Sequence, residues 1–147
     1  QSIVYDIGAG TGSIGIECAL QATDGTVYAI EKKADALELL AKNQQRCGVT
    51  NLKIVAGEAP LAMEELPAPT HAFIGGSSGN MKEIVNLLTE KNPDVRTLTF
   101  YGKAIEIRRD IQIQIDKNNI AIDNTESVSN IINEFIFFNC LKNERIA

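Results

Sequence analysis

Short apolar runs and longer stretches of helical periodicity alternate through the first hundred residues. Ser2–Ile7 predicts a strand that runs into the turn Gly8-Ala9-Gly10-Thr11-Gly12. Ile14, Cys18 and Ala22 recur four apart, which predicts a helix from Ser13 to about Ala22. Asp24-Gly25 is a turn signal before a second strand over Thr26–Ile30. A second helix runs from Asp35 to about Cys47, with Leu37, Leu40 and Ala41 as its apolar face and Gly48 as its stop. Leu52–Val55 predicts a third strand, followed by Gly57-Glu58-Ala59 and a short helix ending before Pro67. A fourth strand over Ala72–Ile74 leads into Gly75-Gly76-Ser77-Ser78-Gly79-Asn80. Met81–Lys91 is then a helix stopped by Asn92-Pro93, and Val95–Phe100 a fifth strand. Strands separated by helices of this length need crossover connections. The fold class is therefore α/β, a doubly wound and mainly parallel sheet.

Past Phe100 the pattern changes. Ile105 and Ile107, then Ile111, Ile113 and Ile115, then Ile120 and Ile122 alternate as half-buried strands do, and Asp116-Lys117-Asn118-Asn119 is a turn signal. A hairpin over 111–122 is expected. Val128, Ile131, Ile132, Phe135 and Ile136 fit a final helix, while Phe135–Phe138 fits a strand equally well. Composition shifts at the same place: residues 1–100 hold twelve alanines and ten glycines, residues 101–147 three and one, with eleven isoleucines. The chain reads as a single domain over 1–147, with a core over 1–100 and an atypical tail over 101–147.

Length and charge narrow the function. With 147 residues there is room for one domain with a real core. No apolar run approaches the length of a membrane span. A net charge of −5 argues against a protein held on nucleic acid by bulk electrostatics. Cys18, Cys47 and Cys140 lack metal-ligand spacing, and His71 is the sole histidine, so no metal site is expected and a reducing, cytoplasmic compartment fits. His71 reads as a surface residue ahead of a strand, and Cys18 as a core thiol. No signal peptide is apparent.

The chemistry concentrates where strands end. In Asp6-Ile7-Gly8-Ala9-Gly10-Thr11-Gly12 the glycines permit a sharp turn and close approach of a ligand to the backbone, and the following helix N-terminus favours a negative group. The spacing is GxGxG behind an acid, not GxGxxG, and Ser13 stands where a nicotinamide fingerprint has its third glycine. No P-loop is present. Glu31, at the end of the second strand, can accept hydrogen bonds from both hydroxyls of a ribose. Gly57-Glu58-Ala59 closes the third strand beside them, where Glu58 or the nearby backbone could read an adenine edge or simply start a helix.

These segments together resemble the Rossmann-like methyltransferases that use S-adenosyl-L-methionine. Asp6–Ser13, Val27–Glu31, Gly57–Pro60 and Phe73–Asn80 resemble one family in particular, the decarboxylating precorrin methyltransferases of cobalamin synthesis. The loop 75–80 discriminates, because methyltransferases of nucleic-acid base amines commonly carry an Asp/Asn-Pro-Pro-aromatic motif there. The resemblance covers roughly residues 1–95. It implies transfer of a methyl group to ring carbon 15 of a precorrin-6 intermediate, with loss of carbon dioxide from an acetate side chain. It further implies that Asp6, Gly8, Ala9, Gly10, Thr11 and Gly12 bind the cofactor, the last five holding its methionine part. Glu31 with Lys32 would serve the ribose, Gly57, Glu58 and Ala59 would border the adenine, and Gly75, Gly76, Ser77, Gly79 and Asn80 would face the substrate.

A tetrapyrrole is the implied small-molecule partner, without nucleic acid or membrane. A homo-oligomer, or a fused or separate carbon-5 methyltransferase partner, is a further expectation of the resemblance. An activated sulfonium methyl and an electron-rich macrocycle leave the protein mainly alignment and water exclusion, so no catalytic residue is assigned. Lys32, Lys82 and Lys103 are candidates for gripping substrate carboxylates, or are solvated surface lysines. The chain departs from the family in lacking a segment ahead of the first strand, and in having too little room for a helix after the fifth. The tail is expected to be divergent, or not the native continuation of the core; translating the DNA in its other frames distinguishes the two. Other readings are a methyltransferase of RNA or protein, and a non-catalytic remnant.

Overall fold

The computed structural model describes residues 1–100 and, as strand backbone, 104–107 and 121–122. The strands are β1 (Ile3–Ile7), β2 (Thr26–Glu31), β3 (Leu52–Ala56), β4 (His71–Ile74), β5 (Arg96–Phe100), β6 (Ala104–Ile107) and β7 (Ala121–Ile122). The helices are α1 (Ser13–Gln21), α2 (Ala34–Cys47) and α3 (Met81–Lys91), with a single 3-10 turn at Leu61–Met63 where a short helix was expected. The strand order is β3-β2-β1-β4-β5-β6-β7. The first five strands run parallel and the last two are antiparallel additions at one edge.

Alternation along β1 sorts side chains onto two cores. Val4 joins Ile16, Cys18, Ala19, Val27, Leu40 and Leu52 on the side of α1 and α2. Tyr5 and Ile7 join Ile74, Ile84, Val85 and Leu88 on the side of α3. Strands buried on both faces need this pattern, and the parallel sheet follows from it. Asp6 shares the Val4 face and so lies beneath α1. Leu40 centres the buried stripe of α2, Leu37 is half-buried and Ala41, expected to be apolar core, is exposed.

Asn51 fastens the far end of α1. Its Nδ2 donates to the carbonyls of Ala19, Ala22 and Gly25, at 2.9 to 3.3 Å. Replacing Asn51 by alanine should leave these acceptors short of a donor and lower stability by about 1–3 kcal/mol. Urea denaturation checks this; an unchanged midpoint would refute it.

His71 corrects the sequence reading. β4 starts one residue earlier than expected, so His71 pairs with Val4 on one side and Arg96 on the other and is fully buried. Its Nδ1 lies 2.8 Å from the Thr70 hydroxyl, which satisfies a polar ring inside the sheet. Cys18 is a buried thiol as expected, and burial pushes its pKa up. Cys47 is exposed, and Cys140 lies outside the described residues.

In the tail, β6 matches the alternation at Ile105 and Ile107 and follows β5 after three residues. Ala121 and Ile122 pair with β6. The rest of the 111–122 hairpin, the final helix and Lys103 lie outside the described residues. Among the described residues no helix is long and apolar enough to cross a membrane, and no group of three His, Cys, Asp or Glu could hold a metal ion.

Candidate functional site

The order of the strands reverses between β1 and β4, and an open cleft of about 340 Å3 lies there at the carboxyl ends of the strands. Such a reversal splays the following loops apart and leaves room for a ligand. Gly8, Gly10, Ile30, Glu31, Lys32, Lys33, Gly57, Glu58, Ala59, Gly76, Ser77 and Ser78 line it.

The glycine turn is shaped by its neighbours. Gly8 and Ala9 both donate their N–H to the Ile30 carbonyl, at 2.9 and 3.0 Å, tying the turn to β2. Gly8 sits at φ +70, and a Cβ there would lie 2.6 to 2.8 Å from the backbone of Gly76. The first and fourth strand loops therefore touch backbone to backbone. Gly12 faces Leu40 closely enough that a Cβ would overlap the Leu40 side chain. Gly10, at φ +58, has open space around its Cβ position and lies on the cleft wall.

Glu31 closes one side. One carboxylate oxygen accepts the Gly10 N–H at 2.7 Å, and the other accepts those of Lys32 and Lys33 at 2.9 and 3.0 Å. Burial alone would raise its pKa, but these three N–H groups and the Lys33 charge hold it below the usual carboxylate range. The result is a fixed, ionised acceptor: three N–H groups occupy it, two on one oxygen and one on the other, which leaves the oxygen facing Gly10 a free lone pair for a ligand hydroxyl. The glycine cradle and this acceptor fit an adenosine-bearing group, and the cleft volume lies within the ~300–1,000 Å3 usual for such ligands.

The rim is bridged. Lys32 donates from Nζ to the Ser78 hydroxyl at 2.8 Å and to Glu58 Oε1 at 3.3 Å. Gly57 donates to the Glu31 carbonyl at 3.0 Å, and Asn80 donates from Nδ2 to the Ala59 carbonyl at 3.1 Å. Loops after β2, β3 and β4 are thereby joined around the opening.

Asp6 lies behind this wall, not in it. It is 1% exposed, and a Cβ on Gly15 would come within 2.7 Å of its Oδ2. That oxygen has no hydrogen-bond partner among the described residues. Of the sequence-expected site, the structure brings Gly8, Gly10, Glu31, Lys32, Gly57, Glu58, Ala59, Gly76 and Ser77 to one cleft. Asp6, Ala9 and Gly12 are buried outside the lining and Thr11 is exposed outside it, while Gly75, Gly79 and Asn80 shape loop 75–80 without lining the cleft. Lys82 is exposed on α3, away from the lining. Ile30, Lys33 and Ala36 are not singled out by sequence reasoning, and Ser78 only as part of loop 75–80. Their adjacency to Glu31 and their place in loop 75–80 were the available signals.

The precorrin methyltransferase domain family matches residues 1–126. The match passes well beyond residue 95, where the motif resemblance stops, and takes in part of the tail. A cobalt-precorrin-6B C(15)-methyltransferase (decarboxylating) from Salmonella typhimurium is 41% identical over 85 residues, 58% of this chain and 43% of that protein. The chain thus spans less than half the length of that relative. Among solved structures, a precorrin-6y C5,15-methyltransferase from Geobacter metallireducens aligns with a TM-score of 0.65 at 28% identity, covering 67% of this chain and 53% of that one. Precorrin 8W decarboxylase from Methanobacterium thermoautotrophicum aligns at 0.62 and 31% identity, with the same coverage.

Proposed function

The chain belongs to the precorrin methyltransferase domain family, and on that footing we propose that it methylates ring carbon 15 of a precorrin-6 intermediate from S-adenosyl-L-methionine, with decarboxylation of an acetate side chain. The observation that carries this reading is the convergence of the glycine turn, the ionised Glu31 and the Gly57–Ala59 loop on one cleft beside loop 75–80. When bound, S-adenosylmethionine supplies a methyl group already activated by a sulfonium. Gly8 and Gly10 let the backbone approach the methionine part, and Glu31 receives a ribose hydroxyl on the oxygen that faces Gly10. Gly57, Glu58 and Ala59 border the adenine. Gly76 and Ser77 face the substrate and, with the bridged rim, limit water at the reacting carbon.

The transferred methyl would form one carbon–carbon bond at the ring carbon, and the carboxylate of the acetate would leave as carbon dioxide, its remaining CH2 taking a proton to become a methyl group. The macrocycle holds the electron pair between these events. Incubation with S-adenosylmethionine and cobalt-precorrin-6B should yield S-adenosylhomocysteine and carbon dioxide in equal amounts; methyl transfer without decarboxylation would refute this reading. Glu31→Gln removes the charge and replaces one of the two acceptor oxygens by an NH2, so at least one of the three N–H groups loses its acceptor. It should weaken S-adenosylhomocysteine binding roughly 10- to 100-fold by calorimetry, the range for a hydrogen bond to a charged group. An unchanged affinity would remove Glu31 from the site.

A further inference from the structure

Lys32 connects two loops that do different work. Its ammonium holds Glu58, on the loop that closes β3, and Ser78, in the loop after β4. Lys32 also lines the cleft. Both ends are exposed, so an ion pair of this kind contributes little to stability and opens readily. Ser78 itself adopts a left-handed backbone at φ 50, followed by Gly79 at φ 83, within a turn closed by the Asn80 N–H on the Ser77 carbonyl at 2.8 Å. A non-glycine residue in that conformation is strained and needs its surroundings to hold it. The Lys32 hydrogen bond is one such restraint. Asn80 then begins α3 and reaches back to Ala59, so the turn is tied to the cleft wall at both ends.

We propose that Lys32 is a positioning residue that couples occupancy of the cleft to the conformation of loop 75–80. This rests on the proposed cofactor site. A free lysine arm loses much rotamer freedom when it is held. A ligand packed along the Lys32 stem restricts the arm once, and the Ser78 hydrogen bond then forms against a smaller remaining entropy loss. Cooperativity of this kind needs no new contact between ligand and loop. Loop 75–80 is thus set for substrate after the cofactor cleft fills.

Hydrogen exchange at the Asn80 amide, measured with and without saturating S-adenosylhomocysteine, tests the coupling. In the wild-type chain and in Lys32→Arg the ligand should slow exchange, and in Lys32→Met and Ser78→Ala it should not. Without ligand, those two variants should exchange roughly twofold to fivefold faster than wild type, the range for an exposed charged contact. Equal slowing in all four proteins overturns the coupling and leaves the cofactor reading intact. Failure of the wild-type chain to bind S-adenosylhomocysteine overturns both.

Discussion

Gly8→Ala should lower stability by about 3 kcal/mol or more and abolish measurable S-adenosylhomocysteine binding. Two penalties combine. Residue 8 sits at φ +70, and an L-residue there costs about 1–2 kcal/mol. The new methyl would also lie 2.6 Å from the Gly76 nitrogen and 2.7 Å from its carbonyl oxygen, and backbone cannot rotate away as a side chain tip can. The first and fourth loops must then separate, which opens the wall of the cleft. Gly48 separates the two penalties. It caps α2 at φ +66 with open space around its Cβ position, so Gly48→Ala carries the conformational penalty alone. Urea denaturation of the two variants should differ by about 2 kcal/mol or more. Equal losses would mean that the Gly8–Gly76 contact contributes nothing.

Asp6→Asn should change how stability depends on pH. Burial raises the Asp6 carboxyl from 3.8 to about 7, against the Gly15 N–H that favours the anion and with the help of the Glu31 charge. Between about pH 4 and 7 the folded chain keeps a proton that the unfolded chain has released. The contribution of this group is therefore fully present below about pH 4 and is lost as pH rises to about 7. A shift of about three units corresponds to on the order of 4 kcal/mol. Glu31 works in the other sense: its lowered pKa adds stability above about 4.5 that is lost in acid, and it does so in wild type and variant alike. Subtracting wild-type from Asp6→Asn stability should give a curve that climbs from about pH 4 and flattens above about 7. Urea denaturation over that range checks it, and parallel pH profiles for the two proteins would refute it.

Much of the fold and the site could be read from residue order because local rules specify them. Asp24-Gly25 and Gly48 mark ends that any helix–strand chain would need. Parallel strands must place the turns after β1, β2 and β3 at the same end of the sheet, so Gly8, Glu31 and Glu58 converge once the crossovers are recognised. What stayed hidden depends on side-chain reach between loops distant in sequence. Nothing near Lys32 indicates that its ammonium finds Ser78, and nothing near His71 indicates that strands on both sides will bury it. Asp6 was placed beside the cofactor because it precedes the glycines, but the alternation of β1 turns its side chain toward α1 and away from the cleft. Ala41 was read as apolar core from spacing alone, and the α2 stripe centres on Leu40 instead.

The reversal between β1 and β4 has a consequence for how the chain acquires its site. The wall made by Gly8, Gly10 and Glu31 belongs to one βαβ unit and closes over a short stretch of sequence. The opposing wall depends on β4, whose anchoring bond from the Ile3 N–H to the Thr70 hydroxyl spans 67 residues. Contacts of such separation form late, because chain closure must precede them. A growing or refolding chain therefore holds a half-cleft that could recognise a nucleoside before loop 75–80 has arrived beside it. Ligand affinity should appear in two kinetic stages, the second coinciding with docking of β4 against β1.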